Sequence, residues 1–183
     1  MDMINTIDTT IYELIIKLMS NGMTNFMLFM SHLGSAITLI VLTIAFILLL
    51  KNKTNSKFIA INLALVFIIN RILKLGVARP RPEVLKIVQE SGYSFPSGHT
   101  MVATWFYGFF IYLVYKNIKD KKIKYPLIAM LFVLILLIGI SRIYLGAHYT
   151  TDVIGGWIIG SVYLAFFIKY GYKKAVKRLK KTF

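Results

Sequence analysis

The sequence predicts an all-α fold, a polytopic membrane helix bundle of about five transmembrane helices preceded by an amphipathic helix, and three observations predict it. The 183 residues are 57% hydrophobic with a mean hydropathy of +0.70, too apolar for a soluble domain built on one core. Uncharged apolar runs recur at lengths suited to a hydrocarbon layer of about 30 Å. Between and after these runs, the stretches Lys51 to Lys57, Lys116 to Lys124 and Lys169 to Lys181 gather fifteen of the 22 basic residues. Two crossings between successive clusters put all three on one side, which the positive-inside bias marks as cytoplasmic.

Residues 4–19 place Ile4, Ile7, Ile11, Leu14, Ile15 and Leu18 at three- and four-residue spacing, with Asp8, Glu13 and Lys17 between them. That period predicts an amphipathic helix, either lying on the membrane surface or packed on the bundle as core. Asn21, Gly22 and Asn25 interrupt the uncharged run that follows, separating an interfacial segment, residues 1–20, from a first span over residues 24–50. His32 lies in this span, where a lone histidine is more often a hydrogen-bonded packing residue than a site residue. A second span runs from Phe58 to Ala78, with Arg71 and Lys74 in its last turns, where long basic side chains snorkel to the interface. Pro80 and Pro82 end it, since each lacks an N–H and pushes its predecessor into an extended conformation.

Residues 83–95 form an outer loop with a short helix from Glu83 to Glu90. Ser97 is placed as the N-cap of a third span, Thr100 to Tyr115; a fourth runs from Tyr125 to Ser141 and a fifth from His148 to Ile168. No repeat or second unit interrupts the bundle, residues 24–170, so residues 1–183 are expected to form a single domain ending in a basic cytoplasmic tail, residues 171–183. Asp2 stands where a cleavable signal would carry basic residues, so the N-terminus is expected to be retained, and five crossings put it on the outer side.

The formal net charge of +15 would suit nucleic acid, but its placement in the loops of a membrane protein argues against that partner. The absence of cysteine excludes disulfides and thiolate metal sites. Of the seven basic residues outside the three clusters, Lys74, Arg79, Arg81 and Arg142 lie toward the opposite face, against the topological bias. Snorkelling explains Lys74 and Arg71. It does not explain further arginines there.

The stretch from Ser141 to Asp152 concentrates the chemistry. If a helix begins near His148, Asp152 lies four residues on, on the same face, where its carboxylate can accept the Nδ1 proton of the imidazole. Nε2 is then a free lone pair, and an oriented imidazole beside Arg142, a guanidinium able to grip phosphate in two places, suggests attack on phosphorus. Ser97 and Gly98 direct the first free N–H groups of the third span at an anion, and His99 on that turn is placed to give or take a proton. Lys74, Arg81, the Ser97–His99 turn, Arg142 and the His148/Asp152 pair thus converge on one face. Only Glu83, Glu90 and Asp152 supply carboxylates there, too few for a two-metal phosphatase, so the chemistry is expected to be independent of metal and cofactor.

Lys74-x6-Arg81-Pro82, Pro96-Ser97-Gly98-His99 and Ser141-Arg142-x5-His148-x3-Asp152, with 13 residues between the first and second motifs, resemble the tripartite signature of the type 2 phosphatidic acid phosphatase (PAP2) superfamily, which includes vanadium haloperoxidases. The resemblance covers roughly residues 24–170, and the chain looks most like small bacterial lipid phosphatases of the phosphatidylglycerophosphatase B type. It implies that His148 attacks phosphorus to form a phosphohistidine and that Asp152 orients it. It also implies that His99 protonates the leaving group and then activates water, while Lys74, Arg81, Ser97, Gly98 and Arg142 bind the phosphate oxygens. Many membrane members of the family look like six-span proteins, so five spans and an amphipathic segment are a departure.

The implied substrate is a lipid phosphate or diphosphate held at the outer face of the plasma membrane: undecaprenyl diphosphate, phosphatidylglycerol phosphate or phosphatidic acid. A phosphotransferase would use the same intermediate with an alcohol as acceptor. An anion transporter would need basic residues along a whole path, whereas here they stop at the outer third. The sequence leaves the oligomeric state open.

Overall fold

The computed structural model describes residues 2–49, 53–83 and 86–172, and among these there is no strand. Seven helices follow one another: α1 (Asp2–Lys17), α2 (Asn21–Leu33), α3 (Ala36–Leu49), α4 (Lys53–Val77), α5 (Gly98–Asn117), α6 (Lys121–Tyr144) and α7 (Thr150–Phe166). A π-helical turn, Phe167–Tyr172, continues α7. Most of the basic tail expected over residues 171–183 lies outside the described residues, as does Lys51.

The bundle is built around α5, whose residues Thr100 to Phe109 are all buried. α3, α4, α6 and α7 pack against it. Trp105 stacks on Phe109 at 6.4 Å and meets Phe167 edge to face at 5.5 Å, so the core of this helix is aromatic. The approach of α7 to α5 depends on two glycines one turn apart on one face of α7. A Cβ on Gly160 would stand 2.6 Å from the Met101 carbonyl oxygen, and one on Gly156 would stand 3.0 Å from that of Ser97. Small residues at this spacing let two helix backbones come together without a layer of side chains between them.

Three described helices are long and apolar enough to cross a membrane, Ile59–Val77, Lys121–Tyr144 and Thr150–Tyr172, or four if α2 and α3 count as one bent span. The expectation of about five is therefore not met on that measure. The missing one is α5, because Thr100, Thr104, Trp105 and three tyrosines lower its hydropathy while protein, not lipid, surrounds its first half. Its 20 residues make about 30 Å of helix and pack against α6, the helix that follows it after a short link.

The first span expected over residues 24–50 is also corrected. It is two helices bent by 50° at Gly34–Ser35. Ser35 Oγ accepts from the Thr38 N–H at 3.2 Å and so starts α3, while a Cβ on Gly34 would collide with Ile138 at 2.5 Å. The short helix expected from Glu83 to Glu90 is absent over its described residues. The N–H groups of Ile87 and Val88 instead donate to the Leu145 carbonyl at 3.2 and 3.4 Å, tying the loop to the α6–α7 turn. α1 packs on α6 and α7 with Ile15 and Asp8 buried, while Met3, Ile4, Ile7 and Leu14 remain exposed.

Candidate active site

His148 lies in the turn between α6 and α7 and is 2% exposed. Its backbone N–H and that of Ala147 both donate to the Arg142 carbonyl, at 3.2 and 3.1 Å. The last turn of α6 therefore fixes the backbone of both a guanidinium and an imidazole. α7 begins at Thr150, two residues later than expected, with Tyr149 as its N-cap. Asp152 is thus in the first turn of α7, and its Oδ2 accepts from the Tyr149 N–H at 2.9 Å.

The imidazole is held differently from the direct pair expected. His148 Nδ1 stands 3.6 Å from Asp152 Oδ2, and Ser94 Oγ intervenes, 3.4 Å from Nδ1 and hydrogen-bonded to the same carboxylate oxygen. On the other side, Arg81 Nη1 is 3.3 Å from His148 Nε2. A guanidinium only donates, so Nε2 is an acceptor and the ring proton resides on Nδ1. A chain of donors then runs from Nδ1–H to the Ser94 hydroxyl and from that hydroxyl to Asp152. Burial pushes the His148 pKa down to about 4; Asp152 acts upward against this, and Arg142, Arg81 and Lys74 add to the depression.

The basic residues come from three elements. Lys74, near the end of α4, donates to the carbonyls of Tyr93 and Ser94 at 2.6 and 3.1 Å. Arg81 donates to the carbonyls of Ser91, Gly92 and Ala147 at 3.0, 2.9 and 2.9 Å. Both therefore shape the 91–94 segment that carries Ser94. Arg142, 2% exposed, donates to Ser31 Oγ and pairs with Glu90, while its buried Nε has no protein partner. That Nε is a donor left over for an anion.

His99 occupies the first turn of α5, within electrostatic reach of Arg142, Arg81, Lys74 and the His148 ring. Its Cβ lies 3.6 Å from the point a Cβ on Gly34 would occupy, so the α2–α3 bend flanks it. Ser97 stands at the N-cap of α5 but its side chain makes no capping bond; its Oγ accepts from Thr100 Oγ1 at 2.9 Å and its N–H donates to the Asp152 carbonyl at 3.1 Å. A Cβ on Gly98 would lie 3.0 Å from Asn70 Oδ1, and Asn70 Nδ2 donates to the Pro96 carbonyl at 3.3 Å. His32 is exposed and takes no part; its neighbour Ser31 reaches Arg142 instead.

Sequence reasoning gave Ser31, Asn70, Ser94 and Arg79 no role at the site. Arg79 is the largest omission: it donates to Asp152 Oδ1 through Nη1 and to Asp8 Oδ2 through Nη2, both at 2.7 Å. A signal was available for Asp8, which shares the helical stripe of Ile4, Ile11 and Ile15 where a carboxylate has no apolar partner. Immediately before Arg79, Ala78 adopts φ of 51°, a left-handed conformation that costs a non-glycine residue about 1–3 kcal/mol. The turn aims Arg79 back into the bundle.

Beside Arg81 and Ala147 the site opens into a cavity of about 430 Å³, also lined by Pro82, Glu83, Lys86 and Glu90. Its volume suits a headgroup-sized ligand.

Residues 55–175 match the model of the PAP2 superfamily. The chain is 39% identical over 117 residues to phosphatidylglycerophosphatase B of Bacillus subtilis (strain 168), covering 62% of this chain and 55% of that protein. It is 32% identical over 108 residues to undecaprenyl-diphosphatase BcrC of the same organism, covering 56% of this chain and 51% of that protein. The matched stretches thus span about half the length of these relatives. Among solved structures, a transmembrane PAP2-type phosphatidylglycerolphosphate phosphatase from Bacillus subtilis superposes with a TM-score of 0.85 at 27% identity, over 94% of this chain and 88% of that one. Aquifex aeolicus LpxE superposes with a TM-score of 0.71 at 26% identity, over 88% of this chain and 94% of that one.

Proposed function

The chain belongs to the PAP2 superfamily, and from that premise we propose that it is an integral-membrane lipid phosphatase that works through a phosphohistidine at His148. One observation carries the reading: the His148 imidazole is gripped on both nitrogens, with Arg81 on Nε2 and Ser94 and Asp152 on Nδ1. The fixed tautomer presents a lone pair where Arg81 would hold a phosphate oxygen. A buried imidazole that stays neutral is a nucleophile at every physiological pH.

In the first half-reaction Nε2 attacks phosphorus, the P–N bond forms, and the bond to the lipid oxygen breaks as His99 gives that oxygen a proton. In the second, His99 takes a proton from water, the water oxygen bonds to phosphorus and the P–N bond breaks. Lys74, Arg81, Arg142 and the N–H groups of Gly98 and His99 in the first turn of α5 offset the extra charge of the five-coordinate transition state. Asp152, through Ser94, keeps the Nδ1 proton in place as the ring gains positive character. No step calls for a metal ion or cofactor.

The substrates that the named relatives point to are phosphatidylglycerol phosphate and undecaprenyl diphosphate, with phosphatidic acid the smallest headgroup of the set. The cavity beside Arg81 has room for a glycerol or a second phosphate. With the lysine-rich loops cytoplasmic, the site faces outward across the plasma membrane, level with the outer headgroups. The test is phosphate release by purified protein from the three lipids in one detergent, compared with His148→Ala and His99→Ala. Release by wild type, none by His148→Ala, and a radiolabelled phosphoprotein that is acid-labile and base-stable support the reading. Release by His148→Ala at the wild-type rate overturns it.

A further inference from the structure

Asp8 and Arg79 form, with Asp152 and Thr151, one closed network that joins the N-terminal helix to the His148 turn. Arg79 bridges the two carboxylates at 2.7 Å each, and Nη1 also meets Thr151 Oγ1 at 2.7 Å. Asp8 accepts from the Thr151 N–H at 2.9 Å and from its hydroxyl at 2.8 Å. The Arg79 guanidinium lies over the Tyr149 ring at 4.0 Å. Asp8 is 5% and Asp152 0% exposed, so neither charge is balanced by bulk water. Of the residues in these contacts only Asp152 is a fixed position of the three motifs; Arg79, Tyr149 and Thr151 fall on variable ones.

Resting on the phosphatase reading, we infer that Asp8 and Arg79 are positioning residues for the reaction: they lock the Asp152 carboxylate in the orientation that fixes the His148 tautomer, which makes α1 part of the active site and not only a membrane-lying segment. A free carboxylate in the first turn of α7 can rotate about its Cβ–Cγ bond. With Oδ1 held by Arg79, only Oδ2 faces Ser94, Tyr149 N–H and His148. Asp8 completes the arrangement in two ways. It holds the second arm of the guanidinium fork, which fixes the plane of Arg79, and it shares the cation's charge. One guanidinium facing two carboxylates leaves a net negative charge for the imidazole to meet when it becomes cationic. An arginine paired with Asp152 alone would cancel that field.

The experiment uses the full chain in detergent with Arg79→Gln, Arg79→Lys and Asp8→Asn, each also placed on Asp152→Asn, with unfolding midpoints recorded for every variant. Arg79→Gln and Asp8→Asn are expected to lower kcat at least about tenfold with KM within about twofold, the signature of an interaction felt in the transition state. Arg79→Lys, which keeps the charge and one donor, regains part of the loss and is the variant least able to disturb folding. On the Asp152→Asn background the same changes should cost less than about twofold more, since they act through that carboxylate. A readout free of activity is the ¹⁵N spectrum of the His148 ring: one Nδ1–H tautomer in wild type, a mixture in Arg79→Gln and Asp8→Asn. Losses that multiply in full on the Asp152→Asn background, an effect confined to KM, or an unchanged tautomer overturn the inference. If wild type releases no phosphate while the tautomer still responds to Arg79→Gln, the phosphatase reading fails and the positioning network stands.

Discussion

Arg81 Nη1 stands 3.3 Å from His148 Nε2, so the guanidinium donates to the lone pair to which the proposed mechanism assigns the attack on phosphorus. In that mechanism a phosphate would draw Arg81 onto its own oxygens and free Nε2 in the same movement. Arg81→Ala should therefore weaken inhibition by vanadate, a five-coordinate mimic, by at least about tenfold, as expected for loss of a charge-assisted contact to phosphate. Inhibition constants measured at fixed salt check this, and an unchanged constant would remove Arg81 from the anion site.

The His148 ring is held neutral well into the acid range. Its pKa is depressed from 6.5 to about 4 in the fold, chiefly by burial, so it should stay unprotonated at pH 5.5, and ¹⁵N shifts of the ring report this directly. The sign for stability follows from linkage. A base whose pKa falls on folding favours the folded state above the unfolded value of 6.5, and that contribution is lost as pH drops toward 4. His148→Gln, which cannot ionise, should flatten the fall in unfolding midpoint between pH 6.5 and 4.

Glu90 sits on Arg142 as a carboxylate where a phosphate oxygen is expected to go. The two compete for one guanidinium. Glu90→Gln should raise vanadate affinity several-fold and at the same time lower the unfolding midpoint measured without vanadate, because Arg142 is 2% exposed and loses its counter-charge. A fall in affinity would mean that Glu90 supports the bound anion.

EDTA should leave activity intact. Each carboxylate near His148 is already committed: Asp152 to Arg79, Ser94 and the Tyr149 N–H, and Glu90 to Arg142. A cation would have to break these pairs to gain oxygen ligands. Strong inhibition by chelation, reversed by one added metal, would contradict the mechanism above.

Gly160→Ala should destabilise the protein by more than 1 kcal/mol, since the new methyl meets a backbone oxygen at 2.6 Å that no side-chain rotation can move. Gly22→Ala, with nothing within 4 Å of its Cβ, serves as the control and should be neutral or slightly stabilising. Thermal midpoints in one detergent decide it.

The motifs were legible because their chemistry contradicts their surroundings: Lys74, Arg81, Arg142 and His148 are costly at the ends of apolar runs, and the structure brings their elements together. The helical class and the C-terminal end of α4 followed from where charge and proline stop an apolar run, whereas α6 runs from Lys121 to Tyr144, past the expected Tyr125 to Ser141 at both ends. Periodicity could not show that α2 and α3 bend at Gly34, because the bend comes from contact with Ile138 on another helix. Nor could it show Ser94 entering between His148 and Asp152, since the serine arrives from a loop whose path is set by Lys74 and Arg81 binding its carbonyls. Arg79 was visible as an unexplained outer arginine. Asp8 was marked by its place on the apolar stripe of α1, but its pairing with Arg79, 71 positions later, was not legible.

Helix α5, buried from Thr100 to Phe109, carries a warning for anyone mapping which parts of this chain face which compartment. Because successive traverses reverse direction, a count that passes over residues 98–117 and one that includes them give mirror-image assignments to everything later in the chain. A tag or labelling site placed beyond residue 121 therefore decides between the two counts.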